Sequence, residues 1–282
     1  MLNLTGVSPL LVAAENWRHR GSIRAINCHA TPAAYRDTFE RQLEYFQQHY
    51  CDCTLDDLTA FMNTGRWDKP KPGLIITFDD GLASNYRVAR YLLEQYGFTG
   101  WFFLPTQFLS TPPSEQPEFC EDHIIYVGHE LRDPEARERL AMTWDEARTL
   151  ARKHVIGSHT RWHCRMLPSL PEERLRDEIF SSRRILEEQL GVPIRVYCWV
   201  GGEAGTYNPT AARLIREAGY EFAFVTTSAP ILPGHDPYQL HRTNVEPNWE
   251  IDQVRFQLSG LVDFLHRKKR REVASLTGSR SS

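Results

Sequence analysis

The sequence predicts an α/β protein built as a closed or nearly closed barrel of parallel strands. Three observations carry this reading. Short apolar, β-branched or aromatic runs recur along the chain, a helical pattern follows each, and seven such units fit a barrel better than a six-stranded open sheet. At 282 residues the chain can bury about three quarters of its extended surface. One large domain is therefore expected, with no disulfide or structural metal needed to hold its core.

In chain order the strand-like runs are Ile23–Cys28, Leu74–Phe78, Trp101–Leu104, Val155–Ser158, Arg195–Val200, Glu221–Thr226 and Leu240–Val245. Caps mark the helices between them. Thr143 before Trp144-Asp145-Glu146 is a capping box that opens a helix to about Lys153; Pro171 opens a helix that Gly191 closes; Asn208-Pro209 opens one that ends at Gly219. The last helical pattern, Ile251–His266, ends in the basic run Arg267-Lys268-Lys269-Arg270-Arg271. Such a run is either a membrane-surface or nucleic-acid patch, or a solvated helix C-terminus whose cations complement the dipole. Two stretches break the rhythm. Residues 106–141, with Pro112, Pro113 and Pro117, are too long for an ordinary connection and read as a functional insertion or a poorly ordered loop. The Ser-rich residues 272–282 read as a disordered tail.

Lys and Arg number 33 against 36 Asp and Glu, a net charge of −3, which gives no general attraction to phosphate backbones and argues against a nucleic-acid partner. The six cysteines form no Cys-x-x-Cys pair, and several lie inside apolar runs where free thiols pack as small hydrophobes. The apolar run Leu10–Ala14 lacks a basic flank and falls short of a signal-peptide core of ~7–15 residues. No segment approaches the ~20 apolar residues of a membrane span. A reduced, cytoplasmic protein is expected, with peripheral membrane association as the variant of that reading.

Chemistry concentrates at two strand ends. The run Leu74-Ile75-Ile76-Thr77-Phe78 ends in Asp79-Asp80-Gly81, and the C-terminal ends of strands are where α/β active sites collect. At a turn two adjacent carboxylates can divide the work, one binding a cation and the other handling a proton. An Asp-Gly turn capping the next helix is the plain alternative. The second segment, Gly157-Ser158-His159-Thr160-Arg161-Trp162-His163, again follows an apolar strand, and histidines four apart on one helical turn can converge on one metal. That spacing alone is weak in a chain with 11 histidines; complementary ligands at two independent strand ends are much harder to obtain by chance. One carboxylate and two imidazoles leave positions for water and substrate, the open geometry of a catalytic Zn²⁺-type site.

Thr77-Phe78-Asp79-Asp80-Gly81 and His159-Thr160-Arg161-Trp162-His163 resemble the first two motifs of the polysaccharide deacetylases, the NodB-homology or carbohydrate esterase 4 group. The similarity extends from about Ile23 to about Val245, with the motifs in order. It implies a distorted (β/α)7 barrel, with residues 1–271 as a single catalytic domain. The implied reaction is metal-dependent hydrolysis of an N-acetyl or similar N-acyl group on an N-acetylated sugar, oligosaccharide or lipid-linked glycan. In that scheme Asp79 is the base, and Asp80, His159 and His163 bind a divalent metal, foremost Zn²⁺.

The resemblance offers two catalytic acids. Many members supply a histidine from a late Leu-x-His motif, here His241 in Leu240-His241-Arg242, whereas the exopolysaccharide-deacetylase branch uses one near the N-terminal strand, here His29 after Cys28. His29 is favoured, since a histidine within a strand-like run is commonly structural. A departure falls at Tyr197-Cys198-Trp199-Val200-Gly201-Gly202, where relatives carry Arg-x-Pro-Tyr or Tyr-Pro-Tyr-Gly. Val200 replaces the proline, Gly201 is the expected oxyanion donor, and Trp199 is either a sugar platform or a packed core residue. Two rival readings are a cysteine hydrolase or acyltransferase using Cys28, Cys164 or Cys198, and a catalytically silent carbohydrate-binding relative.

Overall fold

All seven apolar runs form parallel strands in the computed structural model, which describes residues 21–134 and 138–277. They are β1 (Ile23–Cys28), β3 (Gly73–Phe78), β4 (Gly100–Leu104), β5 (Val155–Ser158), β6 (Val196–Cys198), β7 (Phe222–Val225) and β8 (Leu240–Asn244); a two-residue strand, β2 (Cys51–Asp52), was not evident in the sequence. The strands follow the order β1-β8-β7-β6-β5-β4-β3, and β1 then pairs with β3 from Ile23↔Gly73 to Cys28↔Phe78, which closes the cylinder. β2 sits on the edge of β3 at Gly73 and Leu74, just before β4 takes up that edge at Ile76. The result is a closed parallel barrel surrounded by helices, the distorted (β/α)7 form. Its seams are unequal, because β5 and β6 are in register at the single pair Ser158↔Tyr197.

Alternation of side chains across each strand sorts the residues into two cores. Ala25, Ile75, Trp101, Phe103, Val196, Cys198, Phe224 and Leu240 fill the barrel, together with Leu58 and Phe61 of the helix Leu55–Thr64 and with Ile231. The opposite faces, including Ile26, Ile76, Phe102, Tyr197 and Val225, pack against surrounding helices through Phe39, Phe46, Leu93, Leu186 and Leu214. Caps set the helix starts as expected. Thr143 and Glu146 exchange both bonds of a capping box, Asn208 accepts from Thr210 and Ala211, and Gly191 ends its helix at φ 69°.

Three sequence expectations change and a fourth is narrowed. The pattern Ile251–His266 is two helices, Ile251–Gln257 and Leu261–Leu265, because Gly260 turns the chain at φ 78°. The basic run opens a further helix, Arg267–Thr277, rather than ending one, so the C-terminal dipole does not explain its charge. That helix also gives regular structure to residues 272–277, expected as disordered tail. The stretch 106–141, open in sequence between an insertion and a poorly ordered loop, contains among its described residues helices at Thr106–Ser110 and Gln116–His123 and a 3-10 turn at Glu130–Arg132. Phe108, Phe119, Ile125 and Leu140 bury a small core of their own against Ala30 and Leu82. The run Leu10–Ala14 lies outside the described residues. Among the described residues no helix is long and apolar enough to cross a membrane, and all six cysteines are free thiols.

Candidate metal centre and active site

Parallel strands deliver their C-terminal ends to one rim, and the residues that follow β1, β3, β5 and β6 gather there. Asp80, His159 and His163 bring a carboxylate oxygen and two imidazole nitrogens within 4.8 Å of one another. Nε2 of His163 lies 3.1 Å and Nε2 of His159 3.6 Å from Oδ1 of Asp80. Each imidazole spends its other nitrogen on the backbone: Nδ1 of His159 donates to the Cys198 carbonyl at 3.0 Å, and Nδ1 of His163 to the His123 carbonyl at 2.7 Å. A carbonyl oxygen only accepts, so these bonds place a ring hydrogen on each Nδ1 and turn both Nε2 atoms toward the carboxylate. Burial opposes charge on His163, yet Asp80 raises its pKa, so without a cation a proton on Nε2 fills that contact. In a buried pocket a proton or a cation has to stand between such groups. This donor set, oriented by its outer hydrogen bonds, fits a divalent cation with positions left open. Burial pushes the His159 pKa down to about 4, favouring the neutral ligand form. Burial opposes ionisation of Asp80, yet the neighbouring His163, His29 and His159 hold its carboxyl below the ordinary range.

The backbone is bent to make this arrangement. Asp79 follows directly on the strand, and Asp80 adopts φ 72°, turning the second carboxylate toward the histidines. Thr160 at φ 69° and His163 at φ 54° are also left-handed, so three of the four non-glycine residues with positive φ among the described residues lie in the two site motifs. Such conformations persist where surrounding structure imposes them. Here Glu178 accepts from the backbone N–H groups of Arg161 and Trp162 at 2.9 and 2.8 Å, and Thr160 Oγ1 accepts from Cys164. The histidines therefore converge through a tight loop, not through the helical turn expected from their spacing. The insertion supports the same loop: it contributes the His123 carbonyl and stacks Phe119 on Trp162, and its end returns to the Asp-Asp-Gly turn through Ala83 N to Leu140 O (2.7 Å) and Met142 N to Gly81 O (2.9 Å).

Two residues at the site escaped the sequence reading. Arg242, almost fully buried, clasps Asp79 with both Nη atoms, 2.6 Å to Oδ1 and 2.8 Å to Oδ2. Burial would raise the Asp79 pKa, but the guanidinium outweighs it and holds the carboxyl below its usual range. Glu246, just beyond β8, accepts from His29 twice, from ring Nδ1 at 2.7 Å and from the backbone N–H at 3.3 Å. Burial opposes charge on His29, yet the Glu246 hydrogen bond and charge, with Asp80 and Asp79 behind them, raise its pKa to about 10. Strand parity was the available signal for Arg242: with Leu240 inside the barrel, Arg242 must follow it and His241 must face the other way.

His241 does face away. Its Nδ1 bonds Thr227 Oγ1 at 2.8 Å, its ring lies against His235, and burial pushes its pKa down to about 3. The rim thus brings His29, Asp79, Asp80, His159 and His163 together and leaves His241 out. Trp199 is 1% exposed and stacked on Tyr207 at 4.4 Å, so it has no free face for a sugar and is a packed residue. Gly201 and Gly202 turn the chain after β6 at φ 84° and 74°, and a Cβ at Gly202 would meet the Val225 backbone at 3.0 Å. For the cysteine reading, burial pushes the Cys28, Cys164 and Cys198 thiols up, away from the thiolate form a nucleophile needs.

The rim of this (β/α)7 barrel gathers a carboxylate and two imidazoles into a donor set for a divalent cation. The chain belongs to the polysaccharide deacetylase family, whose model matches residues 66–223, more than half of its length. It is 21% identical over 175 residues to YxkH of Bacillus subtilis, whose name places it among the polysaccharide deacetylases; the match covers 62% of this chain and 52% of that protein, so the chain spans about half the length of this curated relative. Among solved structures, the Streptococcus pyogenes deacetylase PplD in complex with acetate superposes with a TM-score of 0.66 at 16% identity, covering 84% of this chain and 98% of that one. IcaB from Ammonifex degensii gives 0.62 at 21% identity, covering 86% and 97%. At these identities the structural likenesses speak for the fold.

Proposed function

We propose that the chain is a metal-dependent N-deacetylase acting on an N-acetylated sugar within an oligosaccharide or lipid-linked glycan, with residues 1–271 as its catalytic unit. The carrying observation is the convergence of two imidazole Nε2 atoms on Asp80 Oδ1 at 3.1 and 3.6 Å, each ring oriented by an Nδ1 bond to a backbone carbonyl. Asp80, His159 and His163 would hold the cation, Zn²⁺ or a similar divalent metal, which supplies Lewis acidity and a lowered water pKa. Asp79, kept ionised and fixed in direction by Arg242, takes the proton of the attacking water on a carboxylate oxygen. The Gly201 N–H is the oxyanion donor in this reading. His29, held charged by Glu246, gives its proton to the departing nitrogen, because an amine anion is a very poor leaving group. This N-terminal acid is the feature of the exopolysaccharide-deacetylase branch. Family membership and the acetate bound by PplD support acetyl as the group removed.

The test is acetate release from N-acetylated oligosaccharides by protein stripped with a chelator and then reloaded with a divalent metal. Release restored by metal supports the reading. Glycan binding without turnover under any metal would make the chain a silent relative, and turnover lost to thiol alkylation but indifferent to chelation would restore the cysteine hydrolase.

Two further outcomes are expected. Replacing His159 or His163 with Ala should reduce stoichiometric metal to trace levels by elemental analysis; unchanged content in both variants would remove the ligand assignment. Shortening the insertion between Thr111 and Val127 should abolish activity or raise KM severalfold, because the His163 loop loses the His123 carbonyl and the Phe119 stack. Steady-state kinetics alongside circular dichroism would check this, and unaltered kinetics in a folded variant would make the segment a surface excursion.

A further inference from the structure

The basic run picked out in the sequence has no part in the deacetylase reading. The helices Leu261–Leu265 and Arg267–Thr277 follow each other with His266 between them, and their inner side is anchored to the barrel wall. Asp263 forms a two-bond ion pair with Arg24 of β1 at 2.9 and 2.8 Å, and Arg270 Nη1 donates to the Ser228 and Asp263 carbonyls. These bonds fix which way the outer side points. On that side, at helical spacings of three and four residues, stand Leu261, Phe264 and Leu265, exposed by 50, 60 and 65%, then Lys268 and Arg271, both exposed. Arg267 adds a third cation, its guanidinium 4.7 Å from the Phe264 ring centre. Lys268 meets Glu272 at 3.9 Å, a loose surface pair of little energetic weight.

Three apolar side chains this exposed within five residues form a patch rather than scattered surface hydrophobes. The whole chain carries a net charge of −3, so the positive charge beside them is local. We infer that this face docks on a membrane surface containing anionic lipid. Leu261, Phe264 and Leu265 enter the boundary between headgroups and acyl chains, while Arg267, Lys268 and Arg271 meet the lipid phosphates. The combination selects the occupant. A second copy of the chain could cover the apolar residues, but it would bring its own cations to the same interface, whereas an anionic bilayer answers both halves of the stripe. The inference is independent of the deacetylase reading.

The experiment is co-sedimentation of the full chain with vesicles of phosphatidylcholine alone and of phosphatidylcholine mixed with phosphatidylglycerol. Binding is expected to the mixed vesicles, with partition falling as salt is raised. Lys268→Glu with Arg271→Glu should weaken it by at least roughly fivefold for each cation lost. Phe264→Ser with Leu265→Ser should also release the protein from mixed vesicles, with thermal melting unchanged because both side chains are exposed. Absence of binding, equal binding to both vesicle types, or variants that sediment like the parent would overturn the inference. So would sedimentation velocity showing a dimer that the Phe264/Leu265 variant dissociates, since the occupant would then be a second copy.

Discussion

Asp79→Asn is expected to lower kcat by about 10²–10⁴-fold while metal content stays at the parental level. An amide matches the carboxylate in shape but cannot accept the proton of the attacking water. The geometry predicts a second effect from the same change. Arg242 is almost fully buried and spends both Nη atoms on Asp79, so the variant leaves a guanidinium without its counter-charge, a loss of about 3–5 kcal/mol for a buried pair broken on one side. Activity should therefore be measured well below the lowered melting temperature, with elemental analysis on the same sample. Near-normal turnover in a metal-loaded, folded Asp79→Asn protein would assign the base elsewhere.

The second large effect concerns the leaving-group proton. His29→Ala should cut kcat for an acetamide by about 10²–10⁴-fold, yet far less for an activated aryl ester whose phenolate departs without protonation. His241→Ala should show no such selectivity and should mainly lower stability through loss of the Thr227 bond. The pH dependence follows from Glu246. With the His29 pKa raised from 6.5 to about 10, the acid stays charged at neutral pH, and the alkaline limb of kcat/KM should appear only as pH rises toward that value. In Glu246→Gln the hydrogen bond remains but the charge is gone; burial then weighs more heavily, and the limb should move toward neutrality. The stability linkage has the same sign: a raised pKa contributes stability fully below about 6.5, and that contribution is lost as pH rises through about 10. An unchanged alkaline limb in Glu246→Gln would separate Glu246 from the acid.

Much of this was legible because strands and caps are local. Seven apolar runs and the Thr143, Pro171 and Asn208 caps needed no tertiary information, and Asp79-Asp80 and His159-x-x-x-His163 announced themselves by type and place. What stayed hidden depended on contacts between distant residues or on backbone shape. Glu246 is 217 residues from His29 and Arg242 is 163 from Asp79, and of the four only Asp79 lies within the family match. The left-handed turns at Asp80, Thr160 and His163 leave no mark on a sequence, since none of them is glycine. For Trp199 the sequence left packing and sugar stacking equally open, and the neighbouring Tyr207 ring decided it. The place of the basic run was hidden because the chain breaks at His266 and then continues as helix to Thr277, a boundary that no cap residue marks.

The unequal seams of the barrel place its sparsest strand pairing beside the histidine loop. Between β1 and β3 six residue pairs are in register, while β5 and β6 share the one pair Ser158↔Tyr197. Opening fluctuations concentrate where the fewest backbone bonds must break together. The thin seam runs between the loop that carries His159 and His163 and the glycine turn after β6, where the His159 Nδ1 bond to the Cys198 carbonyl adds a side-chain tie to the single backbone pair. Amide hydrogen exchange is therefore expected to be faster along β5 and β6 than along β1 and β3.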